Sequence, residues 1–197
     1  AAHDAFTLEV STQLAAAEMI RGGTTGFASI ETVRGTEVVL DTIAHIGLTG
    51  LVGHCLMDET SGYPPLAVPM ADALAACDAL IALSQDLRGV RPAVAPRFAL
   101  SCSEANLIEA AAFARDRGLR LHTHAAEQVA EIEWIREHTG RDNIAYLRDC
   151  GVTGADVLLA HCVHVDSAER AILAETHSHV VHCPSANWKL GSGIAPV

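Results

Sequence analysis

Two histidine-bearing runs hold the side chains best suited to chemistry. They are Leu-His-Thr-His-Ala-Ala-Glu at 121–127 and Leu-Ala-His-Cys-Val-His at 159–164. Each places an imidazole near the end of an apolar, strand-like segment, and the first adds a carboxylate three residues on. Imidazoles ligate metals, and a carboxylate just beyond one can exchange protons with water and substrate held beside it. His122 and His124, two apart on a strand, share a face. An isolated buried histidine is more often a hydrogen-bonded core residue. Two of them on one face, next to Glu127, would cost several kcal/mol to bury unpartnered, which a metal or a complementary substrate would offset. His124, nearest the strand's C-terminal end, is the candidate metal ligand, and His122 lies deeper as a support. Glu127 is the candidate acid/base, although a first-turn glutamate is also favoured by the helix dipole.

His161 follows four apolar residues and occupies the same kind of position as His124. His164 falls on the loop or the opposite face. His182 precedes Cys183 and Pro184 and can equally serve to brace that turn. Arg97 and Phe98 close an apolar strand. The alternatives there are a structural ion pair, or a guanidinium and ring that grip a flat substrate. His3, His45, His138, His177 and His179 read as surface or capping residues in helices or at their ends. No Gly-x-Ser-x-Gly elbow occurs, so serine-hydrolase chemistry has no support.

The elements that must position these groups alternate along the chain. Helical patterns over residues 6–22, 35–46, 70–87, 103–118, 127–138, 142–150 and 167–176 separate short β-rich runs. The runs lie at 24–30, 50–57, 92–100, 119–125, 156–163 and 178–183. Residues 58–69 are turn-rich, and the Ser-, Gly- and Pro-containing tail 184–197 reads as a loop. Such alternation predicts parallel strands with helical crossovers. No G-x-G-x-x-G follows the first strand and no P-loop motif occurs, which removes the main nucleotide signatures of an open sheet. Polar groups at several strand ends favour an α/β fold of the (β/α)8 TIM-barrel type, whose sites are built from such ends.

The 197 residues are 50% hydrophobic, 19% charged and 4% aromatic, enough for a sizeable core in one domain or most of a larger one. A net charge of -11 argues against nucleic acid as a partner. No run of about 18 apolar residues occurs, so no membrane span is expected. The first residues carry no initiator Met and no secretory signal pattern. The six cysteines form no C-x-x-C pair and read as buried thiols of a reducing, cytoplasmic compartment.

Taken together, the motifs resemble the amidohydrolase superfamily, in its cytosine, guanine and adenosine-analogue deaminase and triazine hydrolase branch. The matching stretches are Met-Ile-Arg-Gly-Gly-Thr-Thr (19–25), Ala-Pro-Arg-Phe-Ala-Leu-Ser-Cys (95–102), His-Thr-His-Ala-Ala-Glu (122–127) and Leu-Ala-His-Cys-Val-His (159–164). His-Cys-Pro-Ser-Ala-Asn-Trp-Lys-Leu-Gly-Ser-Gly-Ile-Ala-Pro-Val (182–197) completes the set. The resemblance implies that His124 is the metal ligand of the fifth barrel strand and Glu127 the acid/base that protonates a ring nitrogen. It implies that His161 contacts the attacking hydroxide or the substrate, and that Arg97 and Phe98 bind the base. One divalent metal, zinc or iron, would be held, and an amino or chloro group removed from an aromatic heterocycle. The Asp58–Pro65 and 140–147 runs resemble the branch acting on 5′-deoxyadenosine, methylthioadenosine or S-adenosylhomocysteine. Guanine deaminase and s-triazine hydrolase are the alternatives, and an inactive truncated barrel is the non-enzyme alternative.

The family's strand-one His-x-His, its strand-eight Asp and its small β-sandwich have no counterpart here. The resemblance therefore places residues 1–197 at barrel strands two to seven. On that reading the polypeptide alone is expected to be inactive and to bind zinc weakly, with strand edges open to association, homo-oligomers included.

Overall fold

The structure, a computed structural model, describes residues 4–60 and 64–196. Helix α1 (Ala5–Arg21) starts at Asp4, whose carboxylate accepts the Thr7 N–H in a capping box. It leads to β1 (Gly26–Ile30), then α2 (Thr36–Ile46), β2 (Thr49–Leu56) and α3 (Met70–Ser84). The chain continues through β3 (Val90–Pro96), α4 (Glu104–Asp116), β4 (Arg120–Ala125), α5 (Val129–Thr139) and α6 (Asn143–Asp149). It ends with β5 (Val157–His161), α7 (Ser167–Glu175), β6 (His179–Val181) and α8 (Pro184–Leu190).

The six strands lie side by side in chain order and every pairing is parallel. The sheet curls far enough to bring β1 near β4 across the interior, giving an incomplete barrel of the TIM type. The main core lies between β2–β5 and helices α3–α7, with Leu56, Val94, Leu107, Leu121, Ile144 and Leu159 at its centre. A second apolar cluster joins Leu40, Ile43 and Val52 under α1 and α2.

Among the described residues the two outer strands carry the free edges of the sheet, since β1 pairs only with β2 and β6 only with β5. Apolar side chains stand uncovered beside both edges. Phe6, Val10 and Leu14 are exposed on α1, and Trp188, Leu190 and Ile194 at or just beyond α8. Patches of that kind mark surfaces built to be covered. No helix among the described residues is long and apolar enough to cross a membrane.

Three local expectations are corrected. The tail 184–197 is not simply a loop: Pro184, whose missing N–H costs a first turn nothing, opens α8, and Gly191 closes it in the left-handed conformation. The strand expected over 92–100 stops at Pro96, and a turn closed by Ser101 N–H to the Phe98 carbonyl follows, so Arg97 and Phe98 lie just beyond the strand. His179 sits in β6 rather than in or beside a helix, with Nε2 on the Ala155 carbonyl. His3 and residues 61–63 of the turn-rich segment lie outside the described residues.

The curl brings strands close at Gly53, in the middle of β2. A Cβ there would stand 2.5 Å from the Ser29 carbonyl oxygen and 3.0 Å from the Ala95 Cβ, and backbone cannot yield as a flexible side chain would. Gly53→Ala is expected to destabilise the fold by about 1–3 kcal/mol. A lowered urea midpoint at unchanged slope would show this, and an unchanged midpoint would contradict the close approach.

Candidate active site

His124 is the next-to-last residue of β4, and its ring is oriented by one backbone oxygen. The Arg97 carbonyl, just past β3, accepts the His124 backbone N–H at 3.0 Å and the Thr123 hydroxyl at 3.2 Å. It also pairs with His124 Nδ1 at 2.7 Å. A carbonyl can only accept, so Nδ1 carries the proton and the Nε2 lone pair is left free. Burial lowers the pKa of His124, opposed by that same bond, so the neutral, ligating form is favoured. His124 lines a cavity of about 280 Å³ at the C-terminal strand ends, together with Cys55, Met57 and Arg97. A larger groove of about 770 Å³ runs between α1 and α2, away from the imidazoles, where the α1 face is uncovered.

His161, the last residue of β5, reaches the same place by a backbone distortion. The register pairs His124 with Ala160 and Ala125 with His161, so plain strand alternation would turn the His161 side chain away from His124. Instead His161 has φ +76° and Cys162 φ +47°, left-handed values that cost a non-glycine residue about 1–3 kcal/mol. Three hydrogen bonds hold the turn: Cys162 N–H to the Ala125 carbonyl, and Val163 and His164 N–H to that of Ala126. The result is a ring stacked on His124, centroids 5.4 Å apart and planes 20° from parallel. His161 Nδ1 lies 2.7 Å from Asn187 Oδ1 on α8. With the amide oxygen as acceptor, the neutral ring carries its proton on Nδ1 and has Nε2 free.

Glu127 follows Ala126, itself at φ +50°. Its Oε1 lies 3.7 Å from His161 Nδ1, too long for a hydrogen bond, and accepts the Ser192 hydroxyl at 3.4 Å. The Gln128 amide donates to the same hydroxyl oxygen. His124, Glu127 and His161 thus gather at one rim of the sheet.

The other candidates sort as follows. The Arg97 guanidinium carbon lies 5.0 Å over the Phe98 ring, and Arg97 has no carboxylate partner among the described residues, so the ion-pair alternative is not realised. His122 is 4% exposed with neither ring nitrogen hydrogen-bonded, and desolvation pushes its pKa down to about 4. The Ser29 carbonyl opposes that shift without forming a well-placed bond. The six cysteines are free thiols. Burial raises the five most enclosed to between about 11 and about 12, which keeps them protonated and inert.

Asn187 and Ser192 were not legible as site residues. Both come from the segment read as loop, and only the folding of α8 brings them against His161 and Glu127. The Asn-Trp-Lys-Leu-Gly-Ser run within the family-like tail was the available signal.

As a metal site the described residues are partial. His124 could supply one donor, its Nδ1 backed by a carbonyl as in metal-binding imidazoles. No three His, Cys, Asp or Glu groups among the described residues gather to hold a cation.

An ordered parallel α/β half-barrel with its polar groups at the C-terminal strand ends defines the barrel class whose sites are assembled on that face. The chain belongs to the Amidohydrolase family, whose profile matches residues 4–197. It is 34% identical to 5-methylthioadenosine/S-adenosylhomocysteine deaminase of Halobacterium salinarum, over 96% of this chain and 43% of that protein. It superposes on an adenosine deaminase from Xanthomonas campestris with bound zinc at TM-score 0.89 and 27% identity, covering 98% of this chain and 43% of that one. A guanine deaminase from C. acetobutylicum with bound guanine shares the fold at TM-score 0.92 and 24% identity, over 98% of this chain and 47% of that one. The chain thus spans less than half the length of the relatives it matches.

Asn187→Ala removes the acceptor for His161 Nδ1–H in a buried position. It is expected to cost about 1–3 kcal/mol of unfolding free energy. Chemical denaturation measures this, and a loss below about 0.5 kcal/mol would mean that the pair does not hold the ring.

Proposed function

We propose that the chain is the portion of a barrel deaminase that supplies one metal-binding imidazole, the proton-transferring carboxylate and a second imidazole. The whole protein then hydrolyses the amino group from a purine-like heterocycle. The observation that carries this reading is the pair of stacked imidazoles, each bonded through Nδ1, with the Glu127 carboxylate beside them. The similarity to the Halobacterium protein favours methylthioadenosine or S-adenosylhomocysteine, and that to a 5′-deoxyadenosine deaminase of Methanothrix thermoacetophila adds 5′-deoxyadenosine.

His124 Nε2 would hold a divalent cation together with groups from the rest of the barrel; zinc is favoured by the Xanthomonas structure, and iron suits the same donor. Such a cation, when bound, lowers the pKa of water to near neutrality and polarises the bond under attack.

The remaining work falls to side chains of this chain. Glu127 takes a proton from the attacking water and delivers it to the ring nitrogen beside the amino-bearing carbon, which makes that carbon electrophilic. His161, with Nδ1–H spent on Asn187, presents Nε2 as an acceptor that orients the attacking oxygen. Arg97 lines the cavity and stands over the Phe98 ring, and this cation and aromatic pair grips a planar base. That unpaired Arg–Phe couple also supports guanine as a second substrate reading. The reduced thiols fit a cytoplasmic setting.

The test is ammonia release by the whole protein against a panel of adenosine analogues and guanine. Glu127→Gln is expected to lower kcat by about 10²–10⁴ while bound metal stays near the wild-type amount. Loss of the metal in that variant would remove the proton-transfer role. Absence of turnover on every heterocycle would leave a non-catalytic barrel.

A further inference from the structure

Glu131 sits one turn beyond Glu127, in the first turn of α5, where a glutamate ordinarily faces solvent to meet the helix dipole. Here it is turned inward and only 4% exposed, and burial raises its carboxyl above the usual range. A buried carboxylate is costly unless its oxygens are occupied. Both of these are: Oε2 accepts the backbone N–H of Glu127 and Oε1 the side-chain amide of Asn143, each at 2.9 Å.

The chain of contacts runs on from there. Asn143 is the first residue of α6 and fully buried. The next N–H, that of Ile144, donates to Glu169 Oε1 at 2.9 Å. Glu169 in turn is locked into the capping box of α7 with Asp166. The loop bearing Glu127 is therefore tied to α5 and α6 through the Glu131 carboxylate, and α6 to α7 through that of Glu169. On its other side Glu127 is held loosely, by the 3.4 Å contact from Ser192 and the 3.7 Å approach to His161. Ala126, immediately before it, is in a left-handed conformation that a free loop would abandon.

We propose that Glu131 is a positioning residue for Glu127: by holding the Glu127 amide it sets where that carboxyl reaches, while Asn143 keeps Glu131 turned inward. The proposal rests on the reading of Glu127 as the proton carrier. It assigns Glu131 no contact with substrate or metal. A misplacement of about 1 Å at a reacting group can cost about 10²-fold in rate, so the tether acts on turnover rather than on binding.

The experiment compares Glu131→Ala, Glu131→Asp and Glu131→Gln in the whole protein, reading kcat, KM and bound metal, with amide exchange at Glu127 as a second readout. The Gln amide can accept the Glu127 N–H through its oxygen and donate to Asn143 Oδ1, which is otherwise unpartnered. Glu131→Gln is therefore expected to stay within about 3-fold of wild type in kcat. Glu131→Ala, and Glu131→Asp whose shorter arm falls short of the amide, are expected to lose about 10–100-fold in kcat with KM within about 2-fold and metal unchanged. Both should also exchange the Glu127 amide at least about 10-fold faster. If Glu131→Ala does not fold, the Asp and Gln pair decides the matter. Wild-type kcat in Glu131→Asp, or equal damage in Asp and Gln, would overturn the tether. An inactive wild-type protein would instead overturn the acid/base reading of Glu127, and the exchange comparison would then judge the tether by itself.

Discussion

One backbone oxygen governs the chemistry available at this site. The Arg97 carbonyl accepts the Nδ1–H of His124, the His124 amide and the Thr123 hydroxyl. It thereby joins the end of β4 to the turn after β3 and selects the tautomer of the imidazole. A histidine whose Nδ1 is engaged in this way has one donor atom left, and this ring lines the cavity at the strand ends. As the Nε2–H tautomer, the same ring would present an N–H there and could ligate nothing. Because the acceptor is a carbonyl rather than a side chain, the arrangement survives substitution at residue 97 and depends on the path of the backbone instead.

The partner groups are brought in by different means, each with a local cost. His161 reaches the site through a left-handed turn, held by three backbone hydrogen bonds to Ala125 and Ala126 and finished by Asn187. Glu127 hangs from a strained loop whose amide is held by a buried carboxylate. Neither distortion improves the core. Both aim polar groups at a point the regular strands would not have supplied, as strain at working sites commonly does. Among the described residues the sheet that bears them is open at both edges, and the uncovered apolar residues of α1 and of the α8 region stand beside those edges.

Much of this was legible from residue types and spacing. Alternating β-rich and helical runs, without a nucleotide-binding glycine motif, pointed to parallel strands in chain order. The His-x-His-x-x-Glu run located the site, because such groups at a strand end have few inexpensive structural uses. What could not be read was orientation. In the register the strands adopt, a period of two would turn His161 away from His124, and nothing in Leu-Leu-Ala-His-Cys announces the positive φ that reverses it. The tail was misread because its Ser, Gly and Pro content suits a loop equally well. Only the packing of α8 beneath His161 gives Asn187 and Ser192 their work. Nothing in the sequence sets Glu131 apart from an ordinary first-turn glutamate, and its partner Asn143 lies twelve residues away.

The central claim is that His124 and His161 both carry their proton on Nδ1, leaving two unprotonated Nε2 atoms at the rim. Long-range ¹⁵N–¹H imidazole correlation spectra of the metal-free protein at neutral pH read this directly. The account predicts that both rings give the Nδ1–H pattern. Finding either ring, and His124 above all, predominantly as the Nε2–H tautomer would contradict it.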